Sequence, residues 1–223
     1  MKKTLTIIAI AIVFNINAQF DGNTKLGTGA LVSNTTGYFN TAFGYNALLN
    51  NTEGIFNAAS GAYALQNNTT GSKNTAFGTY ALQNNTGFYN TASGYEALKS
   101  NISGLHNTAS GYQALKNNDT GFHNTASGAK TLHNNTSGSE NTAIGFFALF
   151  YNTTGKYNTA SGTYALTRNT TGEYNTAYGY GALQYSEGSN NTASGAYALS
   201  ENTSGNHNTA YGYEALQYNN TGK

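Results

Sequence analysis

The chain is predicted to be all-β, a parallel β-solenoid (β-roll) of about twelve coils, and three observations carry that reading. The pattern Asn-Thr-Ala-x-Gly-x-x-Ala-Leu, seen at Asn40 to Leu48, returns at a near-fixed interval of 16–17 residues to the C-terminus. A fixed short period signals a stacked repeat architecture. Gly recurs at two places in every unit, with segments of strand length between them, Asn-Thr-Ala-x and x-x-Ala-Leu-x. Several other columns keep one side-chain size throughout, as a coil of fixed cross-section demands.

In chain order, residues 1–18 read as a signal peptide. Lys2 and Lys3 form a positive start, Leu5 to Phe14 a short apolar run, and Asn15-Ile16-Asn17-Ala18 ends on the small residue that precedes cleavage. The mature chain is therefore expected outside the cytoplasm, secreted or at the cell surface, with no membrane insertion after cleavage. Residues 19–22 form a short lead, and 23–223 the repeat domain.

Units start at Asn23, Asn40, Asn57, Asn74, Asn90, Asn107, Asn124, Asn141, Asn158, Asn175, Asn191 and Asn208, 17 residues apart except for steps of 16 after Asn74 and Asn175. That is too short for the helix pairs of helical solenoids, whose units run to about 33 residues or more. At about 4.8 Å per stacked strand, the rod is expected to be roughly 55 Å long. Both short units lose a residue at the turn, as in Asn85-Thr86-Gly87 and Ser186-Glu187-Gly188, which places a surface loop there. The two Gly columns, Gly27 to Gly212 and Gly37 to Gly222, are read as corners with backbone angles closed to other residues.

The Leu column (Leu31, Leu48, Leu65, Leu82, Leu98, Leu115 and onward to Leu216) and the Ala after Asn-Thr are expected to face inward, one Leu and one Ala per coil. Lys25 alone interrupts that Ala column, as suits an atypical capping coil. The first Asn of each unit (Asn40, Asn57, Asn74, Asn90, Asn107) and a second Asn column, broken only by Ser186, are read as amide ladders. Asn-x-Ser/Thr triplets such as Asn34-Thr35-Thr36 follow automatically from a repeat built of Asn and Thr and are read as turn chemistry.

Outward places carry the variation. The place after Ala swings between Ser and Phe43, Ile144, Tyr178 or Tyr211, and aromatics crowd the places after the first Gly, including Tyr45, Tyr80, Phe147, Tyr180 and Tyr213. So much aromatic surface beside a thin core points to lateral association of several chains.

Composition excludes several classes. A net charge of +1 with only 9% charged residues argues against nucleic acid or an anionic membrane surface as partner. Without Cys there is no disulfide framework or thiolate chemistry. The two Asp and seven Glu mostly occupy different places of the unit and no pair of carboxylates stacks, so no enzyme and no cofactor is expected. The one metal candidate is the column His106, His123 and Glu140, three ligand types stacked about 4.8 Å apart. A straight line of ligands wraps a tetrahedral ion poorly, and rings at neighbouring units make ring stacking the simpler account.

The Asn-Thr-Ala-x-Gly-x-x-Ala-Leu unit followed by Asn-Asn-Thr-Thr-Gly resembles the head repeats of trimeric autotransporter adhesins. It is more similar still to the repeat arrays of secreted bacterial tail-fibre-like proteins. The resemblance spans residues 23–223 and implies a left-handed roll, a homotrimer and a surface fibre or adhesive role toward surface glycans or other cells. It supplies no individual binding residue. The family's stalk, membrane barrel or chaperone is not found within these residues, which leaves the mode of anchoring open. A second reading comes from the Thr column (Thr41, Thr75, Thr91, Thr108, Thr125, Thr142), whose regular hydroxyls and methyls on a flat face would suit ice binding.

Overall fold

The computed structural model describes residues 21–222 and is a parallel β-solenoid. Each coil contributes one three-residue strand: β1 (Thr24–Leu26), β2 (Thr41–Phe43), β3 (Ala58–Ser60), β4 (Thr75–Phe77), β5 (Thr91–Ser93), β6 (Thr108–Ser110), β7 (Thr125–Ser127), β8 (Thr142–Ile144), β9 (Thr159–Ser161), β10 (Thr176–Tyr178), β11 (Thr192–Ser194) and β12 (Thr209–Tyr211). They form a single 12-stranded sheet in sequence order, every pair parallel and in register, as in Thr91↔Thr108 and Ala92↔Ala109. The expected signal peptide, residues 1–18, lies outside the described residues.

Within a strand the middle Ala points inward and its two neighbours outward, the alternation that a pleat imposes. The second segment, x-x-Ala-Leu-x, is not the strand that its length suggests. The residue two places after the first Gly and the Leu both sit in the left-handed region, at φ 55° for Asn46 and 51° for Leu48. Two such residues per segment curl the chain into linked turns while leaving bonds to the next coil, as in Leu48 N–H to Ala64 C=O at 3.0 Å. Left-handed backbone is uncommon in residues other than Gly, and it recurs at a third place per coil, before the first Asn (Phe56, φ 56°).

The core is larger than one Leu and one Ala per coil. Ala47, the partner of Leu48 in the Ala-Leu pair, is as buried as Ala42 and Leu48, and the same three-residue set repeats through the stack. Burying it contributes roughly 3 kcal/mol per coil. In the last coil Leu216 is 53% exposed, whereas Leu199 one coil earlier is fully buried, so each Leu owes its burial to the neighbouring coil.

Both Asn columns are buried and hydrogen-bonded between coils. The first-place Asn works in two directions: Asn57 N–H donates to Asn40 Oδ1 at 2.9 Å, and Asn40 Nδ2 donates to Gly54 C=O at 2.8 Å. In the second column, Asn68 Nδ2 donates to Asn51 Oδ1 at 2.9 Å and to Gly71 C=O at 2.8 Å. That ladder runs unbroken from Asn34 to Asn169. It stops at Ser186, whose short side chain leaves Asn169 Oδ1 buried without a partner.

The two Gly columns differ in cause. Gly44 and its counterparts take angles closed to other residues, with φ 131° at Gly44, and a Cβ there would also strike the carbonyl of Gly61. The second column is not left-handed. There a Cβ on Gly54 would strike the carbonyl of Gly71 and the amide of Asn51, so this corner requires Gly for space.

Candidate functional site

Three surfaces and one groove hold the side chains free to meet a partner. The first is the outer face of the sheet. Its Thr column, including Thr41, Thr75, Thr91, Thr108, Thr125 and Thr142, stands in one straight row. Only β5, β6 and β7 pair it with an unbroken row of serines, Ser93, Ser110 and Ser127. Elsewhere Phe43, Phe77, Ile144, Tyr178 and Tyr211 rise from the sheet between serines and are 40–73% exposed.

The second surface is the corner after the first Gly. There rings of successive coils meet: Tyr45 edge-on to Tyr63 at 5.3 Å, Tyr63 stacked on Tyr80 at 5.0 Å, and Tyr95 stacked on Tyr112 at 5.6 Å. A second run joins Phe146, Phe147, Phe150 and Tyr164 and continues through Tyr180 to Tyr197. Thus Tyr45 and Tyr80 belong to one run and Phe147 and Tyr180 to the other, with Tyr213 on the same corner in the last coil. Phe43, Tyr178 and Tyr211 lie on the sheet face, outside both runs.

A charged node separates the runs. Glu96, only 7% exposed, accepts from Lys99 Nζ at 2.7 Å, Lys116 Nζ at 2.8 Å and Gln113 Nε2 at 2.8 Å. Burial pushes its carboxyl up, but hydrogen bonds from Lys116, Lys99 and Gln113 outweigh this and hold it down at about 2. Lys99 also lies over the Tyr80 ring at 4.9 Å, which ties the node to the first run, and Lys130 in a neighbouring coil lies over Phe147 at 5.4 Å. Burial pushes the nearby His133 imidazole down, a direction that Lys116 and Lys130 reinforce. A carboxylate so fully engaged is built to stay ionised and paired, not to exchange protons.

The third surface is the column before the first Asn, where the metal candidates lie. His106 stacks face to face on Tyr89 at 4.7 Å and meets His123 edge-on at 5.1 Å. Glu140 follows in the next coil. Among the described residues no three His, Cys, Asp or Glu side chains converge on a point that could hold an ion. Phe39 with Phe56 and Tyr157 with Tyr174 extend the ring stacking along the same column.

The groove was not foreseen. Tyr151, Arg168, Thr170 and Glu187, from three successive coils, line a shallow depression of about 310 Å³. It borders the second shortened coil, where the loop is one residue lower. Arg168 lies over the Tyr185 ring at 5.4 Å, and Thr170 Oγ1 donates to Glu187 Oε2 at 3.3 Å. The one sequence signal that marks the place is that Arg168 is the only Arg in the chain.

A scan against protein-family models, a search of curated proteins and a search of solved structures each gave no match to this chain.

Proposed function

We propose that this protein is a secreted or cell-surface fibre segment with a structural and adhesive role, a rod that self-associates as a homotrimer and meets surface glycans or other cells. The observation that carries the reading is the pair of aromatic runs along one corner, beside the exposed Phe43, Tyr178 and Tyr211 on the adjoining sheet face. Rings held in rows by a repeating backbone lose little side-chain entropy when a flat partner covers them, and such rows suit a sister chain with the same spacing. The charge-poor surface opposes neither contact. Secretion rests on the signal-like residues 1–18, and the number three on the resemblance of the repeat. The test is the solution mass of residues 19–223 by light scattering: three chain masses are expected, and a monomer at micromolar concentration overturns the assembly.

The second reading, ice binding, draws on the straight Thr column and on the regular Thr/Ser stretch of β5, β6 and β7. The bulky side chains of Phe77 and Ile144 bound that stretch on both sides, which limits any flat face to a few coils. Thermal hysteresis decides between the two: clear activity displaces adhesion as the main role, and its absence removes the ice-binding reading.

A further inference from the structure

We propose that the groove beside the second shortened coil binds a uronate unit of an acidic oligosaccharide, its carboxylate on Arg168, its ring on Tyr151 and a hydroxyl on Glu187. This rests on the adhesive reading above and gives it a site and a ligand class. Arg168 is exposed and lies over the Tyr185 ring, which orients the guanidinium and leaves its donors facing solvent. The only ion pairs among the described residues are the two at Glu96, so the guanidinium has no carboxylate of its own. A planar fork of N–H donors pairs best with a carboxylate held in two bonds.

Across the groove, Thr170 steadies the Glu187 carboxylate, an acceptor for hydroxyl groups. Beside the guanidinium, an acceptor-only carboxylate favours a ligand that brings hydroxyl donors next to its anionic group, which phosphate lacks and an acidic peptide offers only sparsely. A uronate carries both matching groups, one carboxylate and several hydroxyl donors on one ring. Its apolar C–H face suits the Tyr151 ring, which is 47% exposed and packed edge-on against Phe150 at 4.7 Å. The volume, about 310 Å³, lies at the small end of ligand clefts and suits one sugar ring. The groove adjoins the corner run through Phe150, on which Tyr151 packs, while Tyr151 and Arg168 stay exposed beside it.

The test is calorimetric titration of residues 19–223 with a galacturonate hexamer and with a neutral glucose hexamer. The acidic hexamer is expected to bind at least about tenfold more tightly, and Arg168→Gln to lose at least about tenfold of that affinity. Tyr151→Ala should weaken binding several-fold. Lys156→Gln, which removes a positive charge from the same coil as Tyr151 but outside the groove, should leave it within about twofold, because an exposed charge acting at a distance is largely screened. Equal binding of the two hexamers, an unchanged Arg168→Gln protein, or an equal loss in Lys156→Gln overturns the site. Glycan binding that survives Arg168→Gln sinks the groove alone and leaves the adhesive reading standing. No binding of either hexamer sinks the groove and the glycan part of that reading, and a monomeric mass sinks the assembly independently of the groove.

Discussion

Coils 74–89 and 175–190 are each one residue short at the same exposed loop, yet the buried ladder behind the loop responds differently. In the first, Asn85 keeps its place and its Oδ1 accepts from both Asn90 Nδ2 at 3.1 Å and Asn101 Nδ2 at 2.7 Å. In the second, Ser186 takes the position, Asn202 Nδ2 reaches its Oγ only at 3.4 Å, and Asn169 Oδ1 is left without a donor. Loss of a loop residue therefore does not by itself break the ladder. Loss of the amide does, because Ser is too short to span one coil spacing. The groove with Arg168 lies beside the coil whose ladder is broken, and the charged node of Glu96 begins in the coil that follows the intact one.

The largest effect should be common to both coils. A Cβ on Gly87 or Gly188 would fall inside the contact distance of the next coil's carbonyl, Gly104 or Gly205, and that backbone is fixed by its own bonds. Gly87→Ala and Gly188→Ala are each expected to cost more than about 4 kcal/mol or to prevent folding. Urea unfolding of either variant near the wild-type midpoint would show that space does not select Gly at this corner.

Next in size is Asn85→Ser, which reproduces the second coil in the first. It strips the acceptor from two buried amides and the donor from Asn68 Oδ1, and should cost about 2–3 kcal/mol. An unchanged denaturation midpoint would mean that the ladder contributes nothing to the difference between the coils.

Acid should separate the two regions further. Glu96 is held below its ordinary 4.5, at about 2, so its contribution is fully present above pH 4.5 and is lost as pH falls from there toward 2. By linkage it is worth at most about 3 kcal/mol, less after screening at the partly exposed lysines. Hydrogen exchange at pH 3 should therefore lose protection in the coils around Glu96 and Lys116 before the coil around Ser186. Glu96→Gln should abolish the difference, and equal loss in both regions would count against the node.

The smallest effect is a gain. Ser186→Asn should restore the missing donor to Asn169 and raise stability by about 1 kcal/mol, seen as a higher Tm. A lower Tm would mean that the shortened loop cannot seat an amide there, which Asn85 contradicts in the other coil.

Much of this was legible in the residues. The Leu and Ala columns could be assigned inward and the Asn columns read as ladders because their size is nearly constant, and Ser186 could be picked out because it breaks one of them. The left-handed places could not be read. Phe, Tyr, His, Lys, Glu and Leu carry that backbone here, and none of them signals it in composition. That is why x-x-Ala-Leu-x passes for a strand and why the Ala before Leu does not stand out as core, whereas the second Gly column is selected by a carbonyl one coil away that no local run of residues shows. The groove was hidden because its residues belong to variable columns of three coils, and only stacking brings them together.

The repeat by itself determined the period, the parallel stacking and the inward Leu and first Ala columns, since stacking identical units forces each side chain to meet its own copy one coil away. Only the tertiary structure decided that each coil holds one strand, which places turn left-handed, which Gly is required for space alone, and that Arg168 and Glu187 line one groove. Those outcomes depend on contacts across coils, between positions about 17 residues apart in the chain, which no local run of residues encodes.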